Sequence, residues 1–156
     1  MKRGLLLAAL QLGIVLLTGA KFLLDRSSLP RAWARVHPYD PNLPIRGRYV
    51  RLAVDVMVDG SAAPAGFVKL LANNSELHAA ATTEDTGNHL LWKRGGEADR
   101  LAEAVAFFIP EHIPDPSIRN RDEELWVEVS VPRKGPPRPI RLAVKNAGAF
   151  TVLPID

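Results

Sequence analysis

A mainly β domain, a small antiparallel sandwich or barrel behind a single N-terminal transmembrane helix, is the expectation for this chain of 156 residues. Three features lead to it. The opening residues form one long apolar run, several later segments alternate apolar and polar residues, and 13 prolines with 11 glycines punctuate the chain. Short elements joined by turns suit that punctuation better than long helices.

The length suits one compact domain plus one appendage. A hydrophobic content of 47% and a charged content of 24% are ordinary for a domain with a buried core. With no cysteine, disulfide frameworks, thiolate nucleophiles and cysteine metal sites are excluded. The net charge of +3 is unevenly spread. Lys21 to Arg51 holds seven bases against two acids, and Arg133 to Lys145 five bases against none. Asp55 to Glu128 holds fourteen acids against six bases. Such a pattern suits a domain standing on anionic lipid, and equally the solvated faces of strands and loops.

After Met1-Lys2-Arg3, the run GLLLAALQLGIVLLTGA is broken only by Gln11 and resumes past Lys21 as Phe22-Leu23-Leu24. About 20 apolar residues cross a bilayer as a helix, so residues 4–24 suffice, with Lys21 snorkelling to the surface. No polar face interrupts it at helical spacing. Thr18-Gly19-Ala20 would suit signal peptidase, but the apolar run continuing beyond it favours an uncleaved anchor. The expected division is an anchor over residues 1–24 and a domain over residues 25–156. Basic residues flank the segment on both sides, so charge does not decide its orientation.

Ser27 to Arg35 reads as the join between membrane and domain, with Trp33 suited to the lipid interface or to the core. HPYDPNLPIRG is a loop. From Tyr49, Val50, Leu52, Val54, Val56 and Val58 share one face, with Tyr49, Arg51, Ala53, Asp55 and Met57 on the other. Asp59-Gly60 is a hairpin signal, GFVKLLA the returning strand and SELHAAATT a third. EADRLAEAVAFFIP divides between helix formers and strand formers. PDPSIRNRDEE admits one helical turn capped by Asp115 or Ser117. LWVEVSV and IRLAV are strands joined by the proline-stiffened PRKGPPRP. The expected core joins Val50, Leu52, Val54 and Val56 with Val127, Val129, Leu142 and Val144, leaving Arg51, Asp55, Glu128 and Arg141 exposed.

Little in the sequence points to catalysis. His37, His78, His89 and His112 are scattered, and Glu111-His112 near Asp115 is the only local group resembling a metal site. HExxH, GxSxG, phosphate-loop and dinucleotide motifs are absent, so no cofactor, metal or catalytic residue is expected. Basic residues flank prolines and are not interleaved with aromatics, which argues against a nucleic-acid partner. One enzymatic alternative is a serine hydrolase resembling signal peptidases. It would use Ser27 or Ser28 as nucleophile and Lys69, activated by burial among Phe67, Val68, Leu70 and Leu71, as base. The Ser-Met-x-Pro setting of such nucleophiles is missing.

The stretch YDPNLPIRGRYVRLAVDV resembles the signature of the GDYXXLXY family of bacterial membrane-anchored proteins. The resemblance runs through Asp40, Pro41, Arg46, Gly47, Tyr49, Val50 and Leu52. FFIPE, with Pro110 and Glu111, is similar to a second block of that family, and ELWVEVSVPRKGPPRPIRLAV to its last hairpin. Arg48 stands where the family has aspartate, and Val54 where it has tyrosine. The resemblance implies a single-pass protein of the inner membrane with its β-rich domain in the periplasm, and no reaction. The expected role is a non-enzymatic interaction module that contacts the bilayer through residues 4–24 and, as partner, another inner-membrane or envelope protein. Its contact surface would be an exposed strand edge or the corner formed by Arg46, Arg48 and Arg51. Gly47 would give that corner its tight turn.

Overall fold

The apolar opening run folds as one α-helix, α1 (Lys2–Ser28), in the computed structural model, which describes residues 2–39, 49–59, 66–91, 99–110, 112–120 and 122–154. Its apolar stretch, Gly4–Leu24, covers 21 residues, or roughly 30 Å at the α-helical rise. None of that stretch is buried within the protein, and it is long and apolar enough to cross a membrane. Ser27 and Ser28 each donate a hydroxyl hydrogen bond to the Leu24 carbonyl. Satisfied this way, they continue the helix past the boundary expected at residue 25.

Ten strands follow among the described residues: β1 (Arg31–Pro38), β2 (Tyr49–Asp59), β3 (Phe67–Asn73), β4 (Glu76–Thr82), β5 (Leu90–Leu91), β6 (Asp99–Leu101), β7 (Val105–Phe108), β8 (Glu123–Ser130), β9 (Arg138–Asn146) and β10 (Ala149–Val152). They form one sheet in the order β10-β9-β8-β1-β4-β2-β6-β5, with β3 paired to β4 and β7 to β2. β7 also packs against β9, so the sheet curls back on itself. The mainly β architecture after one apolar helix is as expected. The sheet is mixed, because β4 runs parallel to both β1 and β2.

Period-two alternation sets the core. Val50, Leu52, Val54, Val56, Val127, Val129, Leu142 and Val144 are all buried in a single cluster, joined by Ala32, Ala34 and Val36 of β1. Arg51 and Arg141 are exposed as expected. Asp55 and Glu128 are not. The Glu128 residue is only 6% exposed and the Asp55 side chain 13%: Glu128 is paired with Arg141, and Asp55 with Arg100 and the His37 imidazole, on neighbouring strands. Replacing Val54, at 0% exposure, by alanine should cost about 1–3 kcal/mol in a urea titration. Arg51 only stacks on Tyr39, 4.9 Å from its ring centroid, and Arg51→Ala should cost about 0.5 kcal/mol or less. Equal losses would refute the face assignment.

Several elements differ from expectation. The expected join at Arg31–Arg35 is the first half of β1, an interior strand whose core-facing residues are small enough to look like linker. β3 does not return along β2. It forms a hairpin with β4 through Asn74 and Ser75, both at positive φ (48° and 67°), as a two-residue primed turn requires. Ala147 and Gly148 (φ 47° and 87°) close the β9–β10 hairpin in the same way. The helix formers before Phe107 give way to two short strands, β6 and β7, because both find pairing along β2. Asp115 caps no helix; its Oδ1 accepts from the Ser117 amide at 2.8 Å and hydroxyl at 2.6 Å, a local turn. Thr86 and Asn88 form a buried polar tie. The Thr86 hydroxyl donates to the Val68 carbonyl, and Asn88 Nδ2 to the Gly135 carbonyl in the β8–β9 turn.

Candidate functional site

The site arises from a fork in the sheet. β1 and β2 pair only from Val36↔Val54 to Pro38↔Leu52. Beyond that they separate, and β4 enters the gap with Glu76 beside Trp33 and His78 beside Met57. Ala34 and Arg35 therefore have strand partners on β8 alone, and Asp55 and Val56 on β6 alone. A cleft of about 240 Å³ opens there on the face opposite the core. Trp33 and Arg35 of β1, Asp55 and Met57 of β2, Glu76 of β4, and Glu124 with Trp126 of β8 project around it.

One wall of the cleft is an aromatic cluster. Phe150 on β10 meets Trp33 edge-to-face at 4.7 Å and Trp126 at 6.1 Å. Alanine at position 143 gives those rings room. It pairs with Trp126 and Val152, points away from the core, and is nevertheless 0% exposed. Cations lie against the same rings: the Arg141 guanidinium is 5.5 Å from the Trp33 centroid, and Lys145 Nζ is 5.4 Å from that of Trp126. Arg141 Nε donates to Glu128 at 2.6 Å, fixing the guanidinium between carboxylate and indole.

The charged groups are largely matched. Arg35 meets Glu124 at 3.3 Å, and Trp126 Nε1 donates to the other oxygen of Glu124 at 3.3 Å. Asp55 receives His37 Nε2 at 2.8 Å and Arg100 Nε at 3.1 Å, tying β1, β2 and β6 together beside the fork. His78 Nδ1 lies 2.8 Å from Asp59 Oδ1 and ties β4 to β2. Glu76 stands exposed at the head of β4 and carries no ion pair with any described residue.

The residues expected to matter from sequence fall elsewhere or outside the described residues. Asp40, Pro41, Arg46, Gly47, Arg48 and Glu111 belong to the undescribed stretches, as does Gly60 of the expected hairpin turn. Tyr49 is exposed at the start of β2, Leu52 is a fully buried core residue, and Pro110 follows β7 half-buried. Arg51 is exposed and stacked on Tyr39. Ser27 and Ser28 spend their hydroxyls on Leu24, and Lys69 is exposed on β3, not buried among its apolar neighbours. No hydrogen bond joins either serine to Lys69 among the described residues. His112 is exposed and Asp115 is committed to Ser117.

Nothing in the sequence marks Trp33, Glu76 or Phe150 for a site, although alternation leaves Glu128 outside the core. An aromatic recurring among the charged positions of ELWVEVS was the available signal. Trp33 lies outside the core cluster and packs in this outer wall against Phe150. Comparison with protein-family models, with curated proteins and with solved structures finds no match to this chain.

Proposed function

We propose that this protein is a membrane-anchored binding module of the bacterial cell envelope, non-enzymatic, with its β domain in the periplasm and the fork cleft as its contact surface. The cleft carries this reading. A cavity walled by two indoles and ringed by charged groups is the kind of concavity in which apolar contact supplies affinity and polar groups supply orientation. The exposed apolar helix supports the anchor, and the resemblance of the Tyr39–Val56 stretch to the GDYXXLXY signature supports the envelope location. Gln11 as the sole polar residue between Gly4 and Thr18, and Phe22–Leu24 beyond Lys21, favour retention of the segment over its removal.

A reporter fused after Asp156 should be active only where periplasmic folding is required. Activity confined to the cytoplasm would overturn the orientation, and a mature chain beginning at Lys21 would overturn the anchor. For the contact surface, a photocrosslinking amino acid at Met57, itself 49% exposed, should give a discrete adduct in intact cells. The same group at Lys69 on β3 should not. Equal yields at both positions would mean that the cleft is not the contact surface.

A further inference from the structure

We propose that the cleft receives the side chain of a single lysine or arginine carried on an extended segment of a partner protein; this rests on the binding-module reading above. The charge balance within the cleft points to it. Arg35 is matched by Glu124, and Asp55 by His37 and Arg100, which leaves the carboxylate of Glu76 unmatched. Among the charged residues that line the cleft, Glu76 alone has no ion pair with a described residue, and a ligand bringing one positive charge can supply it.

The walls suit the rest of such a side chain. Met57 and the indoles of Trp33 and Trp126 offer apolar surface for a methylene stem, and lysine and arginine bury their stems while keeping the head polar. Arg141 and Lys145 already lie at ring-contact distance from these indoles, so the ligand's charge is directed to Glu76 and only its stem to the rings. A volume of about 240 Å³ admits one long side chain and not a folded element. Beside it, the main chain of Ala34–Arg35 and of Asp55–Val56 has strand partners on one side only. An extended segment therefore meets main-chain groups next to the side-chain site.

The test uses the full-length chain in detergent micelles and the indole N–H resonances of Trp33 and Trp126. The probe is acetyl-Ala-Ala-Lys-Ala-Ala-amide, whose only charge is the lysine. It should shift both resonances saturably, and its lysine-acetylated counterpart should bind about fivefold more weakly or worse. Glu76→Gln should weaken the lysine peptide by about fivefold, while Lys69→Gln should leave it unchanged. Glu76 is exposed, so its replacement should not disturb folding, and an unchanged denaturation midpoint verifies that. Equal binding of the acetylated peptide, or no effect of Glu76→Gln, would overturn the proposal. Shifts produced by a β-linked N-acetylglucosamine tetramer and not by the lysine peptide would overturn the ligand class while the binding-module reading stands. No shift with any probe, together with no Met57 adduct in cells, would overturn both.

Discussion

Leu142→Ala is expected to destabilise the domain by about 3 kcal/mol and to lower its melting temperature by roughly 10 °C. Leu142 is 0% exposed at the centre of β9, directly opposite Val127 on β8, and sits in a core with few flexible side chains to collapse into a void. Its own carbonyl is bonded to the Leu153 amide at 2.9 Å, which pins the strand against relaxation. The adjacent Ala143 is buried just as completely on the opposite face, under the aromatic cluster, and there the opposite change does the damage. Ala143→Leu should cost about 1–3 kcal/mol by pushing Phe150 away from the two indoles. Denaturation of the full chain in detergent, followed by tryptophan emission, separates the two. Ala143→Leu should alter the native emission, and Leu142→Ala should change mainly the midpoint. A Leu142→Ala loss below about 1 kcal/mol would mean that β9 faces the other way.

Arg141→Met should destabilise by about 2 kcal/mol, an unusual cost for a residue whose side chain is half exposed. The cost arises on the other partner. Glu128 has 8% of its side chain accessible, and without the guanidinium 2.6 Å away its charge is left with little solvent to replace it. Water reaching the vacated position limits the loss, which is why the figure lies below that for a fully buried pair. The double variant Glu128→Gln, Arg141→Met should recover most of the loss, since a neutral amide is far cheaper to bury than an unpaired carboxylate. A double-mutant cycle by thermal denaturation measures the coupling. Additive losses would show that Arg141 contributes through its contact with Trp33 alone.

The parts of the fold that were legible in the sequence share one property: large β-branched or leucine side chains at strict alternation. β2, β8 and β9 have it, and their buried faces are the ones expected. β1 does not. Alanine at positions 32 and 34 carries too little apolar signal to mark a strand, yet small residues are what an interior strand needs where neighbours on both sides crowd it. The β3–β4 turn was hidden for a related reason, because Asn74-Ser75 is an uncommon pair for two successive positive φ angles. The cleft was less legible still. It depends on where β1 and β2 stop pairing and β4 begins, a relation among residues some 40 positions apart that no local pattern encodes. Alternation puts Asp55 and Glu128 on the solvent side because it reports the side of the sheet, not what else lies on that side.

Only Leu29 and Pro30 separate the end of α1 from the start of β1. With Gly4–Leu24 placed in a membrane, the domain would hang on a leash too short to swing, and proline stiffens what there is of it. Trp33, one wall of the cleft, comes just three residues after Pro30 on an extended strand, so no more than about 25 Å of chain joins the end of the apolar stretch to the cleft. The leash also ends in an interior strand, so any pull or tilt of the helix is delivered to the middle of the sheet, at the fork itself.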